Sequence, residues 1–155
     1  MKESTQINIP PVTKSLEVNL PVEDAFRLFT AGIGTWWPIR SHSVGEDRAS
    51  TCRMEGRVGG RFYEIQEDGT EVLWGTVLSW EPPRRLVFSW HPGYEVEQAQ
   101  EVEVTFEADG DGSRLHLVHR GWEERVKVHP EVRDGYEAGW DIVLGKYLAR
   151  TAEDR

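Results

Sequence analysis

The sequence predicts one α+β domain in which a curved antiparallel sheet wraps a long C-terminal helix. Three observations carry this expectation. From Ser50 to Arg120 apolar and polar residues alternate in short runs separated by glycine- and proline-rich turns. After Pro130, the residues Val132, Tyr136, Trp140, Val143 and Tyr147 recur at helical steps and form one apolar stripe. The 155 residues suit a single core and leave no room for two. The reading assigns residues 1–11 to a flexible N-terminal arm and 12–150 to the domain.

The elements follow in order. Val12, Leu16, Val18 and Leu20 share a strand-like spacing. Pro21 suits the first turn of a helix, and Glu23 and Asp24 favour its positive end. Val22, Phe26 and Phe29 then recur at helical spacing through Thr30. Gly32 and Gly34 break that helix, and Ile33 to Pro38 can form one further turn. Asp68-Gly69 separates the strands Arg61–Gln66 and Glu71–Glu81 as a hairpin, since glycine tolerates positive φ. Pro82-Pro83 ends the second of them, because proline cannot donate to a ladder. Arg85–Trp90, Glu101–Ala108 and Arg114–Arg120 complete the sheet, the last two joined through Asp109-Gly110-Asp111-Gly112. In Glu71–Glu81 both parities carry apolar residues, so its inward face stays open, and a bulge could switch it mid-strand. Gly135, Gly139 and Gly145 each cost about 1 kcal/mol inside the final helix. They point to close approach of another backbone or to room left for a ligand.

Composition excludes several functions. A formal net charge of −9 argues against nucleic-acid binding, which needs basic side chains to displace counterions, and against docking on an anionic membrane. The single cysteine, Cys52, excludes an internal disulfide and a multi-cysteine metal cluster. The histidines lack metal-ligand spacing, so no metal or cofactor is expected. No long apolar run or secretory core stands out, and a cytoplasmic protein is the expectation. No GxSxG elbow or phosphate loop occurs. Ser41-His42-Ser43 sets a hydroxyl beside an imidazole, but adjacent side chains seldom face each other, so no serine hydrolase is read from it. Arg84-Arg85 and Glu123-Glu124-Arg125 read as a solvated turn and a solvated loop.

The runs Gly59-Gly60-Arg61-Phe62-Tyr63-Glu64 and Trp74 to Trp90, with Pro82-Pro83-Arg84-Arg85-Leu86 inside it, carry a resemblance. So do Leu115 to Trp122, Gly139-Trp140-Asp141 with Leu144, and the early Phe26, Phe29, Thr30 and Trp36-Trp37-Pro38. Together they resemble the activator of heat-shock protein 90 ATPase homologue family, within the START-like, pollen-allergen-like superfamily. The resemblance implies a helix-grip fold with two short helices after the first strand, and a cavity between sheet and C-terminal helix. It also implies a small hydrophobic or amphipathic ligand, with a chaperone or other protein partner as the alternative, or a polyketide-cyclase-like enzyme.

Seven tryptophans in this chain fit a thick core or an aromatic-lined cavity. Trp36, Trp37, Phe88, Trp90, Phe106, Leu117, His119 and Trp140 are the expected ligand-binding residues. No catalytic residue is assigned, and the reading favours a binding protein over an enzyme. His119 shares a face with Leu115 and Leu117. There it either orients a ligand or sits as a core histidine bonded to a backbone carbonyl. Trp36 and Trp37 either wall a cavity mouth or plug the core and cap a helix end. A cavity of roughly 300–1,000 Å³ is expected near the two short helices.

Overall fold

The computed structural model describes residues 9–127 and 129–153. Seven strands form one antiparallel sheet: β1 (Val12–Val18), β2 (Ala49–Met54), β3 (Arg61–Gln66), β4 (Glu71–Glu81), β5 (Arg85–Trp90), β6 (Gln100–Asp109) and β7 (Gly112–Arg120), in the order β1-β7-β6-β5-β4-β3-β2. Three helices accompany it: α1 (Val22–Thr30), the four-residue α2 (Glu123–Val126) and α3 (Val132–Glu153), with short 3₁₀ turns at Ile33–Thr35, Glu46–Arg48 and Val96–Gln98. The sheet curves around α3, and α1 and the first 3₁₀ turn follow β1, as a helix-grip topology requires.

Alternation accounts for the inner face. Val102, Val104 and Phe106 of β6 and Leu115, Leu117 and His119 of β7 are all buried, and the register sets Val102 opposite His119 and Phe106 opposite Leu115. On α3, Trp140, Val143, Leu144 and Tyr147 are the buried positions of the apolar stripe. The Tyr147 hydroxyl donates to the Ala25 carbonyl at 2.8 Å, fastening α3 to α1. Lys14 of β1 pairs with Glu137 at 2.8 Å and Asp141 at 2.9 Å, fastening the first half of α3 to the sheet edge.

β4 settles its own parity by switching it. Trp74 and Val77 are both buried, while Leu73 and Leu78 are 40% and 44% exposed. The register slips once where β4 meets β3 and again where it meets β5, so one residue is bypassed each time. Gly75 sits between the two inward residues. A Cβ there would lie 1.7 Å from the Ser89 carbonyl oxygen, so only glycine lets the strands close at this point.

Some expectations need adjustment. The first strand ends at Val18 rather than Leu20, and β2 is a strand the alternation did not single out. Glu123-Glu124-Arg125 opens the short helix α2 instead of a solvated loop. Its Arg125 lies over the Tyr94 ring at 3.7 Å and donates to Gln98 Oε1 at 2.6 Å. Arg85 is not part of a free turn, because its guanidinium pairs with Glu81 and Glu103 at 2.7 and 2.6 Å. Most of the expected N-terminal arm, residues 1–8, lies outside the described residues. The remainder is held: Arg133 donates to the carbonyls of Pro10 and Pro11 at 2.7 and 2.9 Å.

Candidate functional site

A cavity of about 620 Å³ lies between the sheet and the first half of α3. Trp74 of β4 and Trp90 of β5 supply the sheet side. Glu131, Val132, Gly135, Tyr136, Gly139, Trp140 and Val143 supply the helix side. Trp37, the segment Ser41–Val44, and Pro92 and Gly93 from the β5–β6 loop complete the lining as its flank, and Gly93 lies beside Val44.

Helical geometry explains the space. Residues 132, 135, 139 and 143 fall on one face at steps of three and four. Two of those four are glycine, and a Cβ built on Gly135 or Gly139 meets nothing within 4 Å. Close backbone approach is therefore not what these glycines serve. They leave the helix face bare where it meets the cavity.

The walls present rings, because every indole N–H of the four wall tryptophans is bonded elsewhere in the protein. Trp37 Nε1 donates to the His42 carbonyl at 2.7 Å, and Trp74 Nε1 to Glu64 Oε1 at 2.8 Å. Trp90 Nε1 donates to the Tyr136 hydroxyl and Trp140 Nε1 to His119 Nδ1, both at 2.9 Å. Buried indoles need such acceptors, and here the acceptors also fix how each ring stands.

Glu64 is the anchor of the flank. It is fully buried on β3 and accepts from the backbone N–H of Val44 and Gly45 at 2.7 and 2.8 Å, from Gln66 Nε2 at 3.0 Å and from Trp74. Burial alone would raise its pKa. The hydrogen bonds from Gln66, Val44, Trp74 and Gly45 outweigh burial and hold the carboxyl below its ordinary value. One ionised carboxylate thus ties a loop and an indole of the cavity to β3. Alternation could not reveal it, since a lone Glu in a strand usually marks the solvated face.

The expected binding residues divide into two groups. Trp37, Trp90 and Trp140 stand together at the cavity wall. Trp36, Phe88, Phe106, Leu117 and His119 lie in the packed core and do not line the cavity. Trp36 is turned toward α1 by its Nε1 bond to the Leu28 carbonyl, with its ring 5.1 Å from that of Tyr147. Phe106 meets Phe26 and Phe29 with centroids at 5.4 and 5.8 Å, and Phe88 meets Phe62 at 5.2 Å. His119 is covered by Trp140 and by Trp122, whose ring lies 4.1 Å from the imidazole.

His119 is a satisfied core histidine, bonded to side chains rather than to a backbone carbonyl. Trp140 Nε1 can only donate, so Nδ1 accepts and Nε2 carries the proton, which faces Gln100 Oε1 at 3.2 Å. Burial pushes its pKa down to about 3, so the ring is neutral and both nitrogens are engaged. The Cys52 thiol is pushed up, first by burial and then by the charge of Glu64, and stays protonated. Among the described residues no group of three or more His, Cys, Asp or Glu is arranged to hold a metal, and no helix is long and apolar enough to cross a membrane.

The sequence reading missed Trp74, Tyr136 and the 41–44 segment as parts of the site. Trp74 was hidden by the double slip of β4. Tyr136 belonged to the helical stripe and was read as core. Adjacency hid the segment: contrary to expectation, Ser41 Oγ and His42 Nδ1 do face each other, at 2.7 Å.

The model of the family Activator of Hsp90 ATPase homolog 1-like protein matches residues 19–153. Among solved structures, a protein of Nitrosomonas europaea is 19% identical with a TM-score of 0.66, covering 94% of this chain and 96% of its own. The Aha1 dimer of Colwellia psychrerythraea is 14% identical with a TM-score of 0.65, covering 90% and 94%. The anthrahydroquino-γ-pyrone synthase Txn09 is 36% identical with a TM-score of 0.54, covering 81% of this chain and 88% of its own. No curated protein matches the chain.

Proposed function

The chain belongs to the Activator of Hsp90 ATPase homolog 1-like family, and from that premise we propose that it binds a small hydrophobic or amphipathic molecule in the cavity between sheet and α3. The observation that carries the reading is the pair Gly135 and Gly139. Each costs about 1 kcal/mol within a helix, and each faces open space instead of a neighbour. A guest entering there removes apolar surface from water at about 25 cal/mol per Å². The aromatic walls match that demand.

The test fills the space. Gly139→Leu places its Cβ where no atom lies within 4 Å and carries the rest of the side chain into the cavity, which shrinks. Nile red, an uncharged apolar dye, should bind the native protein and quench its indole emission. Binding should weaken at least tenfold in Gly139→Leu with no fall in melting temperature. Equal binding by both proteins would move the site elsewhere.

A second reading is favoured by the 36% identity to a synthase: the cavity would carry out a reaction on its guest. Recovery of a bound guest chemically unchanged after long incubation rejects it. The likeness to the Aha1 dimer, at 14% identity, speaks for fold alone and carries no chaperone partner across.

A further inference from the structure

One residue lining the cavity, His42, has a ring nitrogen with no partner among the described residues. The four wall indoles are spent, as described. Of the remaining polar side chains, Ser43 Oγ accepts from the Glu46 backbone N–H at 2.9 Å, and the Tyr136 hydroxyl accepts from Trp90. Ser41 Oγ engages His42 Nδ1 at 2.7 Å and lies 3.3 Å from the Pro38 carbonyl. His42 Nε2 has no partner among the described residues. Ser41 holds its ring at Nδ1, and the bond from Trp37 Nε1 holds the backbone carbonyl of the same residue. An imidazole fixed on one nitrogen and free on the other is built to receive a polar group from outside the chain.

Charge narrows the guest further. No lysine or arginine lines the cavity, and its one carboxylate is Glu131. Burial holds His42 below its ordinary pKa, which favours the uncharged ring. An anionic head group would find no counter-charge and one like charge.

Resting on the binding reading above, we propose that His42 is the specificity-determining contact of the cavity, and that it selects uncharged amphipathic guests carrying a hydroxyl or carbonyl over purely apolar or anionic ones. The apolar body of the guest lies against the indoles, and its single polar group meets Nε2 of His42.

Calorimetric titration with naphthalene, 2-naphthol and 2-naphthoate tests this on the intact protein. The native protein should prefer 2-naphthol over naphthalene by about two- to tenfold, the worth of one net hydrogen bond. It should bind 2-naphthoate more weakly than 2-naphthol. His42→Phe should erase the 2-naphthol preference, read as the ratio of the two affinities within that variant. His42→Gln, which keeps a hydrogen-bonding group, should restore part of the preference. If the native protein binds naphthalene and 2-naphthol equally, or favours 2-naphthoate, the proposal falls while the cavity reading stands. It also falls if Tyr136→Phe, and not His42→Phe, removes the preference. If none of the three probes binds, both readings fail together.

Discussion

At the α1 end of the gap between sheet and α3, Phe26, Phe29, Phe106 and Tyr147 interlock edge to face, with contacting centroids 5.4–5.8 Å apart. At the other end, Trp37, Trp74, Trp90 and Trp140 pack at comparable spacings of 5.3–6.2 Å, yet their cluster forms one wall of a cavity of about 620 Å³. Aromatic content is thus not what separates a filled region from an open one. The helix decides. Toward its C-terminus α3 offers Leu144 and Tyr147, which fill the gap, and toward its N-terminus it offers Gly135 and Gly139, which do not.

The largest effect should come from breaking the filled end. Phe29→Ala removes a ring in contact with Trp36, Phe106 and Tyr147 and should cost about 3–5 kcal/mol in a denaturation curve. A loss below about 1 kcal/mol would show that this end repacks freely and is not the rigid counterpart of the cavity.

Glu64→Gln comes next, because it loosens the flank of the open end. The amide nitrogen of glutamine would face two of the four donors that the carboxylate now accepts. The expected cost is about 1–3 kcal/mol, the penalty of leaving buried donors unsatisfied. The pH dependence has a definite sign. The folded-state pKa of Glu64 lies below its ordinary value, so its stabilisation is present above the ordinary carboxylate range and is lost as pH falls through the folded value. Denaturation midpoints of native and Glu64→Gln proteins should therefore converge on acidification. Parallel curves down to acid unfolding would deny Glu64 this part.

The smallest effect sharpens the contrast within α3 itself. Gly139→Ala and Gly145→Ala should each stabilise by about 0.5–1 kcal/mol, since neither new methyl meets an atom within 4 Å. Only Gly139→Ala should also weaken Nile red binding, because Gly145 does not line the cavity. Equal effects of both on dye binding would mean that the cavity face of α3 has been misplaced.

Periodicity made the sheet and α3 legible. Val102 to Phe106 and Leu115 to His119 alternate without interruption, and the α3 stripe holds its helical step over four turns. It failed at β4, where two register slips let Trp74 and Val77 face inward despite opposite parity. The candidate site was legible only in part for a related reason. Trp37, Trp90 and Trp140 could be sent toward the sheet–helix gap by pattern, but pattern does not say where along the gap the space lies. That depends on which acceptor each indole N–H finds. Trp36 reaches the Leu28 carbonyl and joins the core, whereas Trp37 reaches the His42 carbonyl and joins the wall. Two adjacent residues of one type parted company over a contact that no local spacing encodes. Glu64 was hidden likewise, since its four donors come from three separate stretches of chain.

The four indole bonds have one more consequence, which concerns the cost of association. Trp37 is tied to the flanking segment, Trp74 to β3, Trp90 to α3 and Trp140 to β7. Each ring is oriented before any guest arrives, so little side-chain entropy is left to lose on binding. The same ties hold the rings against one another and oppose their swinging into the space when it is empty. Affinity in this cavity should accordingly track how well a rigid, flat molecule matches a shape that already exists, and flexible chains of equal apolar area should bind less well because the ordering falls on them alone.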